Sequence, residues 1–367
     1  MKLALASAIF AVMSVKINTN KERLLALQAK MDELKLDLVL VFSTVHDFAY
    51  GQFFCGFKPA LYHYFFVRRV KQNKFEEGFF VPEFMLDLLE VSKKTELIAF
   101  NDQNIPLEMN SFLGKIKKIG LLGPAPVEHF SKSKADIVYL HNQIWPFLNQ
   151  KTPEEIKKIA LASEILDKNL EALGKEVKAG VKIDKLADEN DRKLLAEADA
   201  LAFPSIIVGN KGRRNFMNVL GIGNKIGKKD MVWINIGIEK DGFLADRGRM
   251  FFVGENELEK DYVRFRDIIG EFVKSLEAGM KTAQLADHLQ RMLIKGGLIK
   301  YKLKEAYLGH NIGFSLFEEP LIGHGLFVDA TLKNNMTISL NMEIEKGNDV
   351  LKIQEMAVIS SRGGRLI

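Results

Sequence analysis

Two ten-residue segments of this chain, Ala179-Gly-Val-Lys-Ile-Asp-Lys-Leu-Ala-Asp188 and Ala278-Gly-Met-Lys-Thr-Ala-Gln-Leu-Ala-Asp287, match at Ala, Gly, Lys, Leu, Ala and Asp. A match of this kind constrains the fold to two similar halves. Only two copies are present, which excludes a solenoid of stacked repeats. Each copy reads as a glycine that closes one helix, followed by the fresh apolar period of the next.

A boundary lies upstream of the repeat. In Gln150-Lys-Thr152-Pro153-Glu-Glu155, Thr152 stands at N-cap, Pro153 at the first helical position and Glu155 at N3, a capping box that opens a long helix. Behind it Ile156, Ile159, Ala160, Ser163, Leu166, Leu170 and Leu173 recur at three- and four-residue steps, so one face of the helix is apolar. The length of 367 residues fits two domains. Before the boundary, Asn20 to Met31 reads as a helix, and Leu36 to Phe42, Tyr62 to Val67 and Gly78 to Val81 read as strands. The expected division is therefore an N-terminal α/β domain over 16–149 and a second domain over 150–367. Residues 1–15 are set apart. Lys2 and the apolar run Leu3 to Val15 read either as a signal peptide cleaved near Val12-Met-Ser14, or as an extension before an ordinary start at Met13.

Composition narrows the function classes. An apolar content of 47% with 27% charged residues is that of a soluble globular protein. The net charge of +5 is mild for this size, and no basic run is interleaved with aromatics as a nucleic-acid groove requires. No segment has the length of a membrane span. Cys55 is the only cysteine, so an internal disulfide framework is excluded. Cytoplasmic location is favoured, with a secreted or periplasmic one if residues 1–14 are a signal peptide.

Three segments carry the chemistry: Trp233-Ile-Asn235-Ile-Gly237, Gly242-Phe-Leu-Ala-Asp246-Arg-Gly-Arg249 and Ala306-Tyr-Leu-Gly-His310-Asn-Ile-Gly-Phe-Ser-Leu-Phe317-Glu-Glu-Pro320. Asn235 to Asp246 is eleven residues and His310 to Phe317 is seven. In order and spacing they resemble the pita-bread superfamily of methionine aminopeptidases, X-Pro aminopeptidases, prolidases and creatinase. The resemblance implies an α/β (α+β) fold, with a creatinase-like N-terminal domain before a pita-bread domain of pseudo-twofold halves, and a homodimer. It also implies a two-metal site whose ligands are two Asp, a His in a GHxIG turn and two Glu. Those positions read here Asn235, Asp246, His310, Asn341 and Gln354. Three of the four acids are amides.

Charge decides what such a site can hold. One carboxylate cannot offset two divalent cations in a partly dry pocket, whereas Asn and Gln supply donors and acceptors that close a network without metal. The family's substrate-side His is Phe317, and the loop Val208 to Asn218 lacks the family's second catalytic His. The leading expectation is a pseudoenzyme without cofactor, serving a non-catalytic binding or regulatory role, in which His310 is a retained family residue. Two alternatives stay open: metal-independent hydrolysis of a small C–N substrate, and a residual single-metal X-Pro peptidase using Asp246, His310 and Glu343, with Glu343 two residues from Asn341 on the same strand face. A one-residue slip from Gln354 to Glu355 would instead reverse the face. With three acids removed, Arg249 and His310, joined at the rim by Arg213 and Arg214 where the resemblance puts their loop, are expected to give the pocket a preference for an anionic or peptide-like ligand.

Overall fold

In a computed structural model the chain forms two compact units, Met1–Trp145 and Pro146–Ile367. The structure describes residues 15–16, 20–56, 58, 62–72, 74–90, 95–210, 224–304, 307–323 and 330–367. Residues 1–14, with the apolar N-terminal run, and Arg213 and Arg214 lie outside the described residues.

The first unit is an α/β layer. Its helices are α1 (Lys21–Leu34), α2 (Ala49–Cys55) and α3 (Ile105–Leu113), and a fourth, α4 (His141–Leu148), runs across the division. Its strands are β1 (Val15–Lys16), β2 (Leu38–Thr44), β3 (Tyr62–Lys71), β4 (Lys74–Pro82), β5 (Leu89–Glu90), β6 (Glu96–Phe100), β7 (Lys118–Leu122) and β8 (Asp136–Tyr139). Six of them form one sheet in the order β6-β4-β3-β2-β7-β8. Helix α1 starts where Asn20 Oδ1 accepts from Arg23 N, and it buries Leu24, Leu27 and Met31. Alternate residues of β2, Leu38, Leu40 and Phe42, pack with Tyr64, Phe66, Phe80 and Phe100, as a two-residue period demands.

The second unit opens with α5 (Pro153–Gly174), where the Thr152 and Glu155 side chains cap each other's backbone as a capping box. It buries Ile159, Ala162, Ile165, Leu166, Leu170 and Leu173, and each large aliphatic on this stripe contributes about 1.5–3 kcal/mol on burial. Helix α6 (Ile183–Leu195), α7 (Leu258–Lys274) and α8 (Leu285–Lys295) follow. The strands are β9 (Ala200–Asn210), β10 (Met231–Lys240), β11 (Phe243–Phe252), β12 (Lys302–Leu303), β13 (Gly309–Asn311), β14 (Glu318–Ile322), β15 (Thr337–Lys346), β16 (Asp349–Val358) and β17 (Arg365–Leu366). They make a nine-stranded sheet with the path β14-β13-β15-β16-β11-β10-β9. Among the described residues no helix is long and apolar enough to cross a membrane.

The two copies of the sequence repeat occupy equivalent places. Gly180 N donates to Ile226 O at 2.8 Å and Gly279 N to Leu332 O at 2.8 Å; Lys182 bridges Lys225 as Lys281 bridges Thr331. The glycines are not helix C-caps, which corrects the sequence reading: α5 ends on Lys175 and α7 on Ser275, both right-handed. Gly180 and Gly279 lie beyond, at φ 88° and 102°, where the chain turns back into the following helix. What the repeat preserves is that left-handed turn.

A Cβ built at either glycine meets nothing within 4 Å, so Gly180→Ala and Gly279→Ala should each lose only the backbone term, about 1–2 kcal/mol. Urea denaturation should give similar midpoint losses for both; a loss at one alone would break the equivalence of the halves.

Candidate active site

Two tight hairpins set the register of the site. β10 and β11 join through Asp241 and Gly242, at φ 52° and 75°. A two-residue loop with both residues at positive φ matches the twist of the flanking strands, and Asp-Gly is suited to it. β15 and β16 join through Gly347 and Asn348, leaving Lys346 opposite Asp349. The pairings that follow align Asn235 with Gly248, Gly248 with Gln354, and Gln354 with Asn341, one row across four strands. His310 on β13 lies opposite Ser339 of β15, and Asp246 is two residues from Gly248 on the same face of β11.

Four of the five predicted positions are joined by short contacts. Asn235 Nδ2 donates to Gln354 Oε1 at 3.0 Å and to Arg247 O at 3.0 Å. Gln354 Nε2 donates to Asp246 Oδ2 at 2.6 Å and to Ser339 Oγ at 3.1 Å. His310 Nε2 lies 3.7 Å from the same Asp246 oxygen. The His310 Nδ1–H donates to Asn311 O at 3.0 Å, so in the neutral ring the lone pair sits on Nε2, toward Asp246. Asn341 shares the row as the cross-strand partner of Gln354. Gly248 leaves the space this requires: a Cβ there would come within 2.3 Å of the Trp233 ring and 3.2 Å of Gln354 Cβ.

Asp246 is the residue under electrostatic tension. It is buried, and among the described residues its Oδ1 has no hydrogen-bond partner. Desolvation pushes its carboxyl above the usual range, against the lowering effects of His310, Ser339, Arg247 and Gln354. Aromatic rings close in on His310: Phe317 at a centroid distance of 4.5 Å, itself exposed, and Tyr307 stacked at 6.1 Å. Burial and the Asp246 charge raise the Tyr307 hydroxyl well above its ordinary range, so Tyr307 presents a neutral phenol.

One expected site residue faces away, and another is engaged by a lysine. Arg249 is three residues from Asp246, and an odd step along a strand lands on the opposite face. There it pairs with Asp167 at 2.5 Å and Glu355 at 3.7 Å, beside Arg247, which binds Glu355, Asp167 and Ser163. Arg249 is therefore no anion-binding group of the pocket. The same alternation puts Gln354 in the row and Glu355 behind it. Glu343 stays on the pocket side but is held by Lys304 at 2.9 Å. Among the described residues no three His, Cys, Asp or Glu side chains converge as a metal-ligand set, so Asp246, His310 and Glu343 are not brought together.

Sequence reading missed what anchors the GHNIG turn. Glu318 Oε1 accepts from Phe314 N at 2.6 Å and Ser315 N at 3.1 Å. Its Oε2 accepts from Asn311 Nδ2 at 2.7 Å and Lys151 Nζ at 2.5 Å, with both charged side chains fully buried. Four donors on one buried carboxylate satisfy it, the condition under which a buried ion pair is tolerated. A Cβ at Gly313, φ 143°, would meet Lys151 Cε at 2.8 Å, so only glycine lets the turn pack on this lysine.

The arrangement defines a class, an α/β domain followed by a pita-bread domain with a site row across its sheet. Residues 157–361 match metallopeptidase family M24, and the chain belongs to that family. It is 26% identical over 358 residues to the Xaa-Pro dipeptidase of Pyrococcus furiosus, covering 94% of this chain and 97% of that protein. The prolidase structure from Pyrococcus furiosus superposes with a TM-score of 0.77 at 23% identity, covering 92% of this chain and 98% of the other. The X-Pro aminopeptidase structure from Thermotoga maritima MSB8 gives 0.75 at 17%, covering 92% and 97%.

The raised carboxyl of Asp246 has a sign that can be tested. A folded-state pKa above the unfolded one means that the native state holds its proton more tightly, so this group's contribution to stability falls as pH rises through the window between them. Asp246→Asn should therefore be neutral or stabilising at pH 7 in thermal unfolding, and the gain should shrink as pH falls toward about 4. A loss at pH 7 that disappears in acid would show a carboxylate held by its partners rather than penalised by burial.

Proposed function

We propose that this M24 member has given up two-metal peptidase chemistry and serves as a non-catalytic binding or regulatory protein. One observation carries the reading: the side-chain amides of Asn235 and Gln354 stand at positions where the resembled site has carboxylates, and their N–H groups are spent on Gln354 Oε1, Asp246 Oδ2 and Ser339 Oγ. Amide oxygens can help carboxylates bind hard cations, but here the Gln354 oxygen receives a proton donor and Asp246 is the one carboxylate left on the row. The donor set does not fit a pair of divalent ions. Phe317, packed on His310, supplies no proton-transfer group where the resembled family has a His.

The reading is tested by elemental analysis of dialysed protein beside an assay on X-Pro dipeptides and N-terminal Met peptides, with the triple variant Asn235→Asp, Asn341→Glu, Gln354→Glu as contrast. The native chain should carry no stoichiometric transition metal and show no manganese-dependent cleavage. The triple variant, with four acids on the row, should melt lower without metal at pH 7, recover as pH falls, and be rescued by manganese, which binds only its folded state. Two metals per native chain with peptide turnover would contradict the proposal.

A further inference from the structure

Behind the sheet, on the face away from the amide row, α7 leaves a cavity of about 250 Å³ against β16 and β17. Exposed Val263 and Leu366 and buried Ile353 give it apolar walls. Glu355 lines the same space, although its side chain is only 7% exposed. Its Oε2 receives Arg247 Nη1. Its Oε1 accepts no hydrogen bond among the described residues and has Arg249 Nη2 at 3.7 Å, so it is left to receive a further donor. On α7 the exposed side chains of Arg266 and Asp267 belong to the lining. The charges of Arg266, Glu355 and Arg249 all bear on the Tyr262 hydroxyl, which gathers them around one point. Gly270 also lines the cavity, from within the 17-residue α7, where glycine is the poorest helix former after proline. A Cβ built there meets no atom within 4 Å. Packing among the described residues gives no reason for the missing side chain, whereas close approach of a ligand to the helix backbone does.

We propose that this cavity binds a zwitterionic aliphatic amino acid, its ammonium group donating to Glu355 Oε1, its carboxylate paired with the Arg266 guanidinium, and its side chain lying against Val263, Ile353 and Leu366 over Gly270. A zwitterion suits the place because the charges around it cancel: Arg247, Arg249 and Arg266 stand against Glu355, Asp167 and Asp267. Neither a bare cation nor a bare anion gains from such a field, and a ligand of either sign alone leaves Glu355 or Arg266 unmatched. Apolar walls with a few placed polar groups are the usual form of a small-ligand site. The cavity lies on the opposite face of the sheet from Asp246 and Gln354, so the proposal stands whether or not the row holds metal.

Thermal shift and calorimetric titration at constant ionic strength, with leucine, 4-methylpentanoate and 3-methylbutylamine as matched probes, test it. Leucine should raise the melting temperature in a concentration-dependent way, and the two singly charged probes should not. Gly270→Ala should melt above the native chain, since α7 gains a better helix former in open space. Gly270→Met, whose longer side chain fills the cavity, should lose leucine affinity by about tenfold or more. Arg266→Gln, a change at an exposed residue, should weaken leucine binding about tenfold and leave the melting temperature of the ligand-free protein unchanged. No shift with leucine, equal shifts from all three probes, or undiminished leucine binding in Gly270→Met or Arg266→Gln would overturn the proposal.

Discussion

The two-residue alternation along β11, β15 and β16 decides what this molecule can do. It sends Asp246, Asn341 and Gln354 to one face of the sheet and Arg247, Arg249 and Glu355 to the other. Each face then balances its own charge. Behind the sheet, two arginines meet Glu355 and Asp167, with Ser163 of α5 bound to Arg247. In front, amides are hydrogen-bonded around one carboxylate. A shift of one residue in β16 would exchange Gln354 for Glu355, adding a second acid to the row and stripping the arginines of their partner. The hairpin loops Asp241-Gly242 and Gly347-Asn348 hold the register against that shift.

A metal site and an amide network place opposite demands on the same backbone. Carboxylates converging on two cations would repel one another without them. On the proposed reading three of the four are replaced and that repulsion is removed, and the Asn and Gln side chains donate as well as accept. The chain Asn235 to Gln354 to Asp246 needs close packing and gets it from Gly248, whose missing side chain leaves room for the Trp233 ring between neighbouring strands. Turn and sheet are tied by Lys151 and Glu318, a buried pair that fixes residues 311–315 and with them the loop that carries Phe317 over His310.

Much of this was legible in the residues. The capping box at Thr152 and the α1 helix from Asn20 follow from local chemistry, whereas Asn235, Asp246, His310 and Gln354 were singled out by the resemblance and the structure joins them by short contacts. Strand ends were less so: the run from Leu36 was expected to begin β2, yet the strand starts at Leu38, with Asp37 just before it bonded through its backbone to Lys118 and Arg69 and through Oδ2 to Lys117 N and Lys118 N. The resemblance puts Arg249 in the pocket, but its odd step from Asp246 along β11 turns it to the opposite face. The glycines of the repeat were read as caps because sequence shows where a positive φ falls but not which turn it serves. The Lys151–Glu318 pair joins residues 167 apart in the chain, and no local pattern points to it. Polar residues that meet only in the folded state leave no periodic signal.

Amide N–H groups occupy the positions where the family resemblance puts metal-binding carboxylates. Side-chain amide resonances of selectively labelled protein observe those groups directly, with Asn235→Asp and Gln354→Glu assigning the two signals by their loss. Both signals should exchange slowly with solvent, and neither should move when zinc is added to two equivalents. Stoichiometric, saturable shifts of both on zinc addition, with accelerated exchange as the Gln354 to Asp246 bond opens, would contradict it.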